Sequence, residues 1–205
     1  MMSISLSAAL LVCVCVCVSE SCSCFPAHPQ ELFCMSSIVM RAEVTGEKII
    51  PGKRNGDGMG EVQYDIKVMK VFKGSSDRTK QIQHAYTSEM SSLCGTRLDH
   101  GQYLLSGEIT YERFSITLCD LITRWDSLSL MQKNNIKYRY QMGCDCKISS
   151  CTDQPCQLSS KSECVLDDWS SSWSKPLHEF ACIRHSDGSC NWYTGTAKNH
   201  TETHA

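Results

Sequence analysis

Hydrophobic and polar positions alternate most regularly over Val62, Tyr64, Ile66 and Val68, with Gln63, Asp65 and Lys67 between them. A period of two sends alternate side chains to opposite faces of an extended chain, so this stretch predicts a half-buried strand, continued by Val71 and Phe72. Ile38 to Val44 predicts another strand from its β-branched residues. Between the two, Gly46 to Gly60 holds five glycines and Pro51 among polar residues and predicts a loop. Gly74 to Asp77 predicts a turn. Ile82 to Thr87, Tyr103 to Ser106 and Phe114 to Leu118 are further short strand candidates. Two segments predict helices. Pro29 to Cys34 has proline in the first turn and an acid near the positive end. Ser127 to Tyr140 offers Ser127 as a cap, with Leu128, Met131 and Tyr138 on one rough face. Five short strands with helices in about 120 residues predict a mainly β fold with helices, suited to an OB-like five-stranded barrel; the pattern alone does not separate this from a sandwich.

Upstream, Leu6 to Val18 is an apolar run of small and aliphatic residues. It is shorter than the roughly 20 residues a bilayer span needs. Ser19 and Ser21 place small residues where a leader peptidase cutting after Ser21 prefers them. Residues 1–21 are therefore expected to be a signal peptide, although Met1 to Ser5 carries no basic side chain. Cys22 then begins the mature chain, with a free α-amine.

Removing the leader takes 21 residues and three cysteines (Cys13, Cys15 and Cys17) from 205 and 15, leaving 184 and 12. Net charge moves from −2 to −1, because Glu20 is lost. A chain this close to neutral has no bulk attraction for nucleic acid or an anionic membrane. No second apolar run is long enough for a membrane span.

An even cysteine count behind a leader predicts a disulfide framework in an oxidising, extracellular compartment. Zinc is the competing reading, but no C-x2-C pair and no accompanying histidine pair at finger spacing occur. Six cysteines lie at 22, 24, 34, 94, 119 and 144, and six at 146, 151, 156, 164, 182 and 190. Asp145 alone separates the groups, which predicts two domains, each closed by three bridges. Twelve cysteines allow roughly ten thousand pairings, so spacing leaves the connectivity open. Past Cys146 the chain is turn-rich, and Trp169, Trp173 and Trp192 supply its apolar bulk. A half this small depends on its bridges. Asn199-His200-Thr201 is a glycosylation sequon in a polar tail.

Nothing in the sequence signals catalysis. Neither H-E-x-x-H nor G-x-S-x-G occurs. His200 and His204 are four apart, but in the terminal tail. His28 near Cys22 and Cys24 suggests a copper site only if those cysteines are free thiols. The chain is expected not to be an enzyme and to hold no cofactor of its own.

Cys22-Ser23-Cys24-Phe25-Pro26-Ala27-His28-Pro29-Gln30, followed by Phe33-Cys34, resembles the mature start of the tissue inhibitors of metalloproteinases. The resemblance continues at Val39 to Ala42, Lys70 to Gly74, Ile116 to Asp120, Arg139 to Ile148, Phe180 to Ile183 and Ser186 to Tyr193, and covers the whole mature chain. It implies a netrin-like OB barrel over 22–145, followed by a small disulfide-rich β domain and tail over 146–205. It implies the pairs Cys22–Cys94, Cys24–Cys119, Cys34–Cys144, Cys146–Cys190, Cys151–Cys156 and Cys164–Cys182.

The resemblance also implies a mechanism. The Cys22 amine nitrogen and carbonyl oxygen would chelate the catalytic zinc of a matrix metalloproteinase or related zinc endopeptidase, one-to-one, displacing its water. Ser23 would enter the specificity pocket. Cys24, Phe25 and Pro26 would run along the cleft, with Ser91, Ser92, Leu93 and Cys94 beside them. Only a neutral amine ligates metal, and its reference pKa is roughly 7.7–8.0. The second domain would engage a latent gelatinase or a cell-surface partner. Two positions depart from the member it most resembles: Phe25 replaces a serine, and the tail from Thr194 lacks the acidic run through which that member holds a latent gelatinase. The competing classes are a netrin-like receptor- or matrix-binding module and a thiol-dependent enzyme using C-x-C. Stoichiometric loss of peptidase activity and a free-thiol count separate them from an inhibitor.

Overall fold

The computed structural model describes residues 22–52, 59–151, 159–166 and 179–195. The expected leader (residues 1–21), Cys156, Trp169, Trp173 and Asn199 lie outside the described residues. Along the chain come a helix at Pro29–Met35, strands β1 (Ile38–Ile50) and β2 (Glu61–Lys73), and a short helix at Ser76–Thr79. Strands β3 (His84–Ser88), β4 (Gly101–Thr110), β5 (Arg113–Ser115) and β6 (Ile122–Arg124) follow, then a helix at Leu130–Tyr138. Four short strands close the described chain: β7 (Lys147–Ser150), β8 (Glu163–Leu166), β9 (Ala181–Arg184) and β10 (Cys190–Tyr193).

Strands β1, β2, β3, β5 and β4 pair in that order, and β4 pairs back onto β1, which closes a five-stranded barrel. The sandwich alternative is thereby excluded. One edge of β4 meets β1 over Gly101–Gly107; the other meets β6 near Leu104 and β5 near Ile109. Met40, Ala42, Val44, Val62, Tyr64, Ile66, Leu105 and Phe114 fill the interior. Each Val, Leu, Ile, Met or Phe side chain among them, fully buried, contributes about 1.5–3 kcal/mol. The other face of the barrel is covered as well. Val39 and Leu104 pack with Phe33, Leu121, Leu128, Ile136, Tyr140 and Ala181 into a second core. That core joins both long helices to β9.

Several boundaries differ from the sequence reading. β1 runs to Ile50, through the start of the expected loop, because Glu47, Lys48, Ile49 and Ile50 pair with Tyr64, Gln63, Val62 and Glu61. A register shift between Val44 and Gly46 lets it turn away from β4. The expected turn at Gly74–Asp77 runs into the short helix Ser76–Thr79. Ser127 caps nothing: it ends a 3-10 turn, Trp125–Ser127, and its hydroxyl donates to the Arg124 carbonyl at 2.8 Å. The cap is Ser129, whose hydroxyl accepts from the Gln132 amide while the Gln132 side chain accepts from the Ser129 amide. That helix buries Asn135 and Ile136, and Tyr138 faces solvent.

In the second half β7 and β8 pair in parallel, and β9 and β10 form an antiparallel hairpin. Cys146–Cys190 and Cys164–Cys182 tie these strands together. The Trp192 indole donates to the Val165 carbonyl at 2.9 Å, joining β10 to β8. No helix among the described residues is long and apolar enough to cross a membrane.

Candidate functional site: the bridged ridge at Cys22

Two disulfides hold the segment Cys22–Pro26 to the rest of the fold. Cys22 is bridged to Cys94, with Cα atoms 5.1 Å apart, and Cys24 to Cys119, at 5.2 Å. Ser23 lies between them, exposed, with Cys24, Phe25 and Pro26 exposed after it. Phe25 is 95% accessible, so packing among the described residues does not account for it. The strand has no regular secondary structure before the first helix. Its course is set by the bridges at one end and at the other by His28, the helix cap. The His28 amide donates to Glu31 at 2.8 Å, and His28 Nδ1 accepts from the Gln30 amide at 3.2 Å. The imidazole is buried beside Trp192, with ring centres 5.2 Å apart. His28 is therefore built into the helix start and the core.

The partner segment is equally constrained. Ser91–Leu93 forms a single 3-10 turn, and all three residues are exposed. Cys94 follows in the left-handed region at φ 58°. The Leu93 and Gly95 amides both donate to the Met90 carbonyl at 3.1 Å. Gly95 has no room for a side chain: a Cβ there would sit 2.1 Å from the Ser88 carbonyl oxygen. Downstream, the Thr96 amide donates to Thr87 Oγ1, and the buried Tyr64 hydroxyl donates to the Thr96 carbonyl and accepts from the Leu98 amide. The rigid barrel thus fixes the turn that fixes Cys22.

The second anchor is a tight turn at Thr117–Asp120. Asp120 accepts from the Thr117 amide at 2.7 Å and from its hydroxyl at 2.8 Å. Burial pushes the Asp120 carboxyl above its ordinary range, and the Thr117 hydrogen bonds oppose this. The Leu118 amide donates to the Cys94 carbonyl at 2.8 Å, so both anchor loops touch directly. Leu118 is exposed beside them. The sequence places it in a strand candidate and in the Ile116–Asp120 run of the family resemblance, but not on the ridge. β5 ends at Ser115, and nothing local in Phe114 to Leu118 marks where pairing stops.

The structure thus brings Cys22 against Cys94, next to the Ser91–Leu93 turn, and Cys24 against Cys119, with Phe25 and Pro26 exposed after them. Five bridges are formed among the described residues: Cys22–Cys94, Cys24–Cys119, Cys34–Cys144, Cys146–Cys190 and Cys164–Cys182. For the implied pair Cys151–Cys156, Cys156 is not among those residues. Close sulfur groups at Cys22/Cys24/Cys119 and Cys146/Cys182/Cys190 consist of bridged cysteines, which offer no thiolate to a metal.

A family model described as tissue inhibitor of metalloproteinase matches residues 20–192. The chain belongs to this family. Metalloproteinase inhibitor 2 of Rattus norvegicus is 43% identical over 183 residues, covering 85% of this chain and 82% of the relative. Metalloproteinase inhibitor 2 of Cricetulus longicaudatus is 44% identical over 183 residues, covering 85% and 92%. Metalloproteinase inhibitor 4 of Mus musculus is 40% identical over 180 residues, covering 84% and 80%. In this member of the tissue inhibitor family the matched region begins two residues before Cys22, so the bridged ridge lies wholly inside it.

Proposed function

We propose that this chain is a secreted inhibitor of zinc metalloendopeptidases, acting on matrix metalloproteinases in the extracellular matrix as a one-to-one, non-covalent complex. Cleavage after Ser21 leaves Cys22 with a free amine. The amine nitrogen and carbonyl oxygen of Cys22 take the zinc position that the protease keeps open for water, and peptide hydrolysis stops. Ser23 enters the adjoining pocket, Phe25 and Pro26 run along the cleft, and Ser91–Leu93 lies on the other side. The zinc belongs to the protease; the inhibitor needs no cofactor.

The observation that carries this reading is the double anchorage of an exposed strand, with Cys22 bridged to Cys94 and Cys24 to Cys119 on either side of Ser23. A strand already held in one geometry loses little freedom on binding, which favours tight association. Family membership and the names of the relatives support the same reading.

The test compares a chain beginning at Cys22 with one carrying a single additional alanine before it, both titrated against a matrix metalloproteinase. The first is expected to abolish peptidase activity at one equivalent. The second is expected to fold with the same disulfides and to lose inhibition. Equal potency of the two chains overturns the chelation. Failure of the first chain to inhibit any metalloproteinase favours the receptor- or matrix-binding module instead.

A further inference from the structure

The two anchoring disulfides are packed against each other. The Cys119 sulfur lies 3.9 Å from the Cys22 sulfur and 3.9 Å from the Cys94 sulfur. Four half-cystines therefore share one surface cluster, in which Cys24 is exposed and Cys22, Cys94 and Cys119 are partly exposed. In the second half Cys164, Cys182 and Cys190 are buried, while Cys34, Cys144 and Cys146 are partly exposed, and none of the other described half-cystines is as open as Cys24. A small thiol in solution thus reaches the ridge more easily than it reaches the second half.

We infer that Cys24 is a thiol-modification site, and that its modification by a low-molecular-weight thiol moves the Cys22–Cys94 bridge to Cys94–Cys119 and releases Cys22. In the first step the incoming thiolate attacks the exposed Cys24 sulfur. A mixed disulfide forms there, the Cys24–Cys119 bond breaks, and the electron pair leaves on Cys119 as a thiolate. That thiolate cannot drift away. Its backbone is held by the Cys119 amide donating to Thr117 Oγ1 and by the Leu118 amide donating to the Cys94 carbonyl. It is already beside the second bridge. Rotation about the freed Cys119 side chain brings it in line with the Cys94 sulfur.

In the second step Cys119 attacks Cys94. The Cys94–Cys119 bond forms, the Cys22–Cys94 bond breaks, and the electron pair leaves on Cys22, which takes a proton from water. One thiol is consumed and one appears, so no net oxidation or reduction occurs. Confinement of the attacking sulfur makes this step far faster than a second encounter with thiol from solution. The product has an untethered Cys22 and a modified Cys24. This consequence rests on the proposed function: with neither anchor left on the strand, the chelating amine loses its fixed position and inhibition falls. A metalloproteinase bound over the ridge would shield Cys24, so the free inhibitor is the sensitive form.

The test incubates the folded mature chain with millimolar reduced glutathione, quenches with acid and alkylating reagent, and maps disulfides by mass spectrometry. The expected first products are glutathione on Cys24 and a Cys94–Cys119 link, with Cys34–Cys144, Cys146–Cys190 and Cys164–Cys182 intact. Loss of Cys22–Cys94 without any Cys94–Cys119 link overturns the inference, as does earlier opening of a bridge in the second half. A paired variant, Cys24→Ser with Cys119→Ser, removes the attacking sulfur. In it Cys22–Cys94 is expected to open on the order of tenfold more slowly or less, and an unchanged rate overturns the relay. Because the map is read without any protease, it stands or falls separately from the inhibitory reading; where the paired variant does not fold, the map of the unmodified chain decides alone.

Discussion

Gln30 and Cys182 exchange two hydrogen bonds across 152 positions of sequence: the Cys182 amide donates to Gln30 Oε1 at 2.7 Å, and Gln30 Nε2 donates to the Cys182 carbonyl at 2.6 Å. Gln30 is buried in the first helix and Cys182 in β9, so this pair joins the barrel half to the second half. The same amide also donates to the Tyr140 carbonyl at 3.3 Å. A helix that begins three residues after Pro26 is thereby locked at its first turn, which steadies the strand running back to Cys22. Replacing Gln30 with leucine keeps the bulk and leaves both Cys182 backbone groups unpaired in a dry setting. The expected loss is about 2–5 kcal/mol, since each stranded buried group costs about 1–3 kcal/mol. Denaturant unfolding of the variant checks it.

Gly143 sits against the same junction. A Cβ there would lie 1.7 Å from the Cys182 carbonyl oxygen and 2.5 Å from Gln30 Nε2. Gly143→Ala is therefore expected to separate the two halves at this point, destabilising by about 4 kcal/mol or failing to accumulate as folded protein. Secretion yield and thermal unfolding read the effect.

Gly95→Ala acts on the bridged ridge at Cys22. The new methyl must displace the Ser88 or Met90 carbonyl, and Cys94 moves with them. The disulfide map is expected to stay intact while the inhibition constant against a matrix metalloproteinase rises at least about tenfold, a loss of about 1.4 kcal/mol of binding. Titration of a protease with the variant is the measurement.

Phe25 is 95% accessible, and its role is tested in the opposite way. Phe25→Ser is expected to leave stability within about 0.5 kcal/mol. It should also change the ranking of inhibition constants across a panel of metalloproteinases. A variant with an unchanged ranking would show that this ring does not set selectivity.

Glu163 ties the second half to pH. The Ser149 hydroxyl donates to it, as do the Ser159 hydroxyl at 2.6 Å and the Ser159 amide at 2.8 Å, with the Lys147 ammonium 3.6 Å away. These partners pull its pKa from 4.5 down to about 2. A carboxylate lowered on folding stabilises the fold fully above its unfolded value, and this stabilisation is lost as pH falls toward the folded one. The melting temperature of the native chain should therefore exceed that of Glu163→Gln near neutral pH, and the gap should shrink between about pH 4.5 and pH 2. Melting curves across that range, followed by tryptophan fluorescence, test the sign.

The sequence by itself determined the strand over Val62–Val68, because a period of two is a local property that any pairing partner must accept. It determined the start of the first helix, where Pro29 and Glu31 act within one turn. It also determined the family, because spaced cysteines and the runs around them are read along the chain. Tertiary structure alone decided the rest. Barrel closure between β1 and β4 and the parallel β7–β8 pair depend on partners far apart in sequence. The length of β1 depends on β2 offering backbone groups out to Glu61, so local glycines do not end it. Ser129 caps the later helix in place of Ser127 because the Trp125–Ser127 turn takes Ser127 first. The turn at Ser91–Leu93 is closed by the Leu93 and Gly95 amides donating to the Met90 carbonyl, with Gly95 seated against the Ser88 carbonyl. The meeting of Gln30 with Cys182 follows from two surfaces that only the folded chain brings within hydrogen-bonding distance.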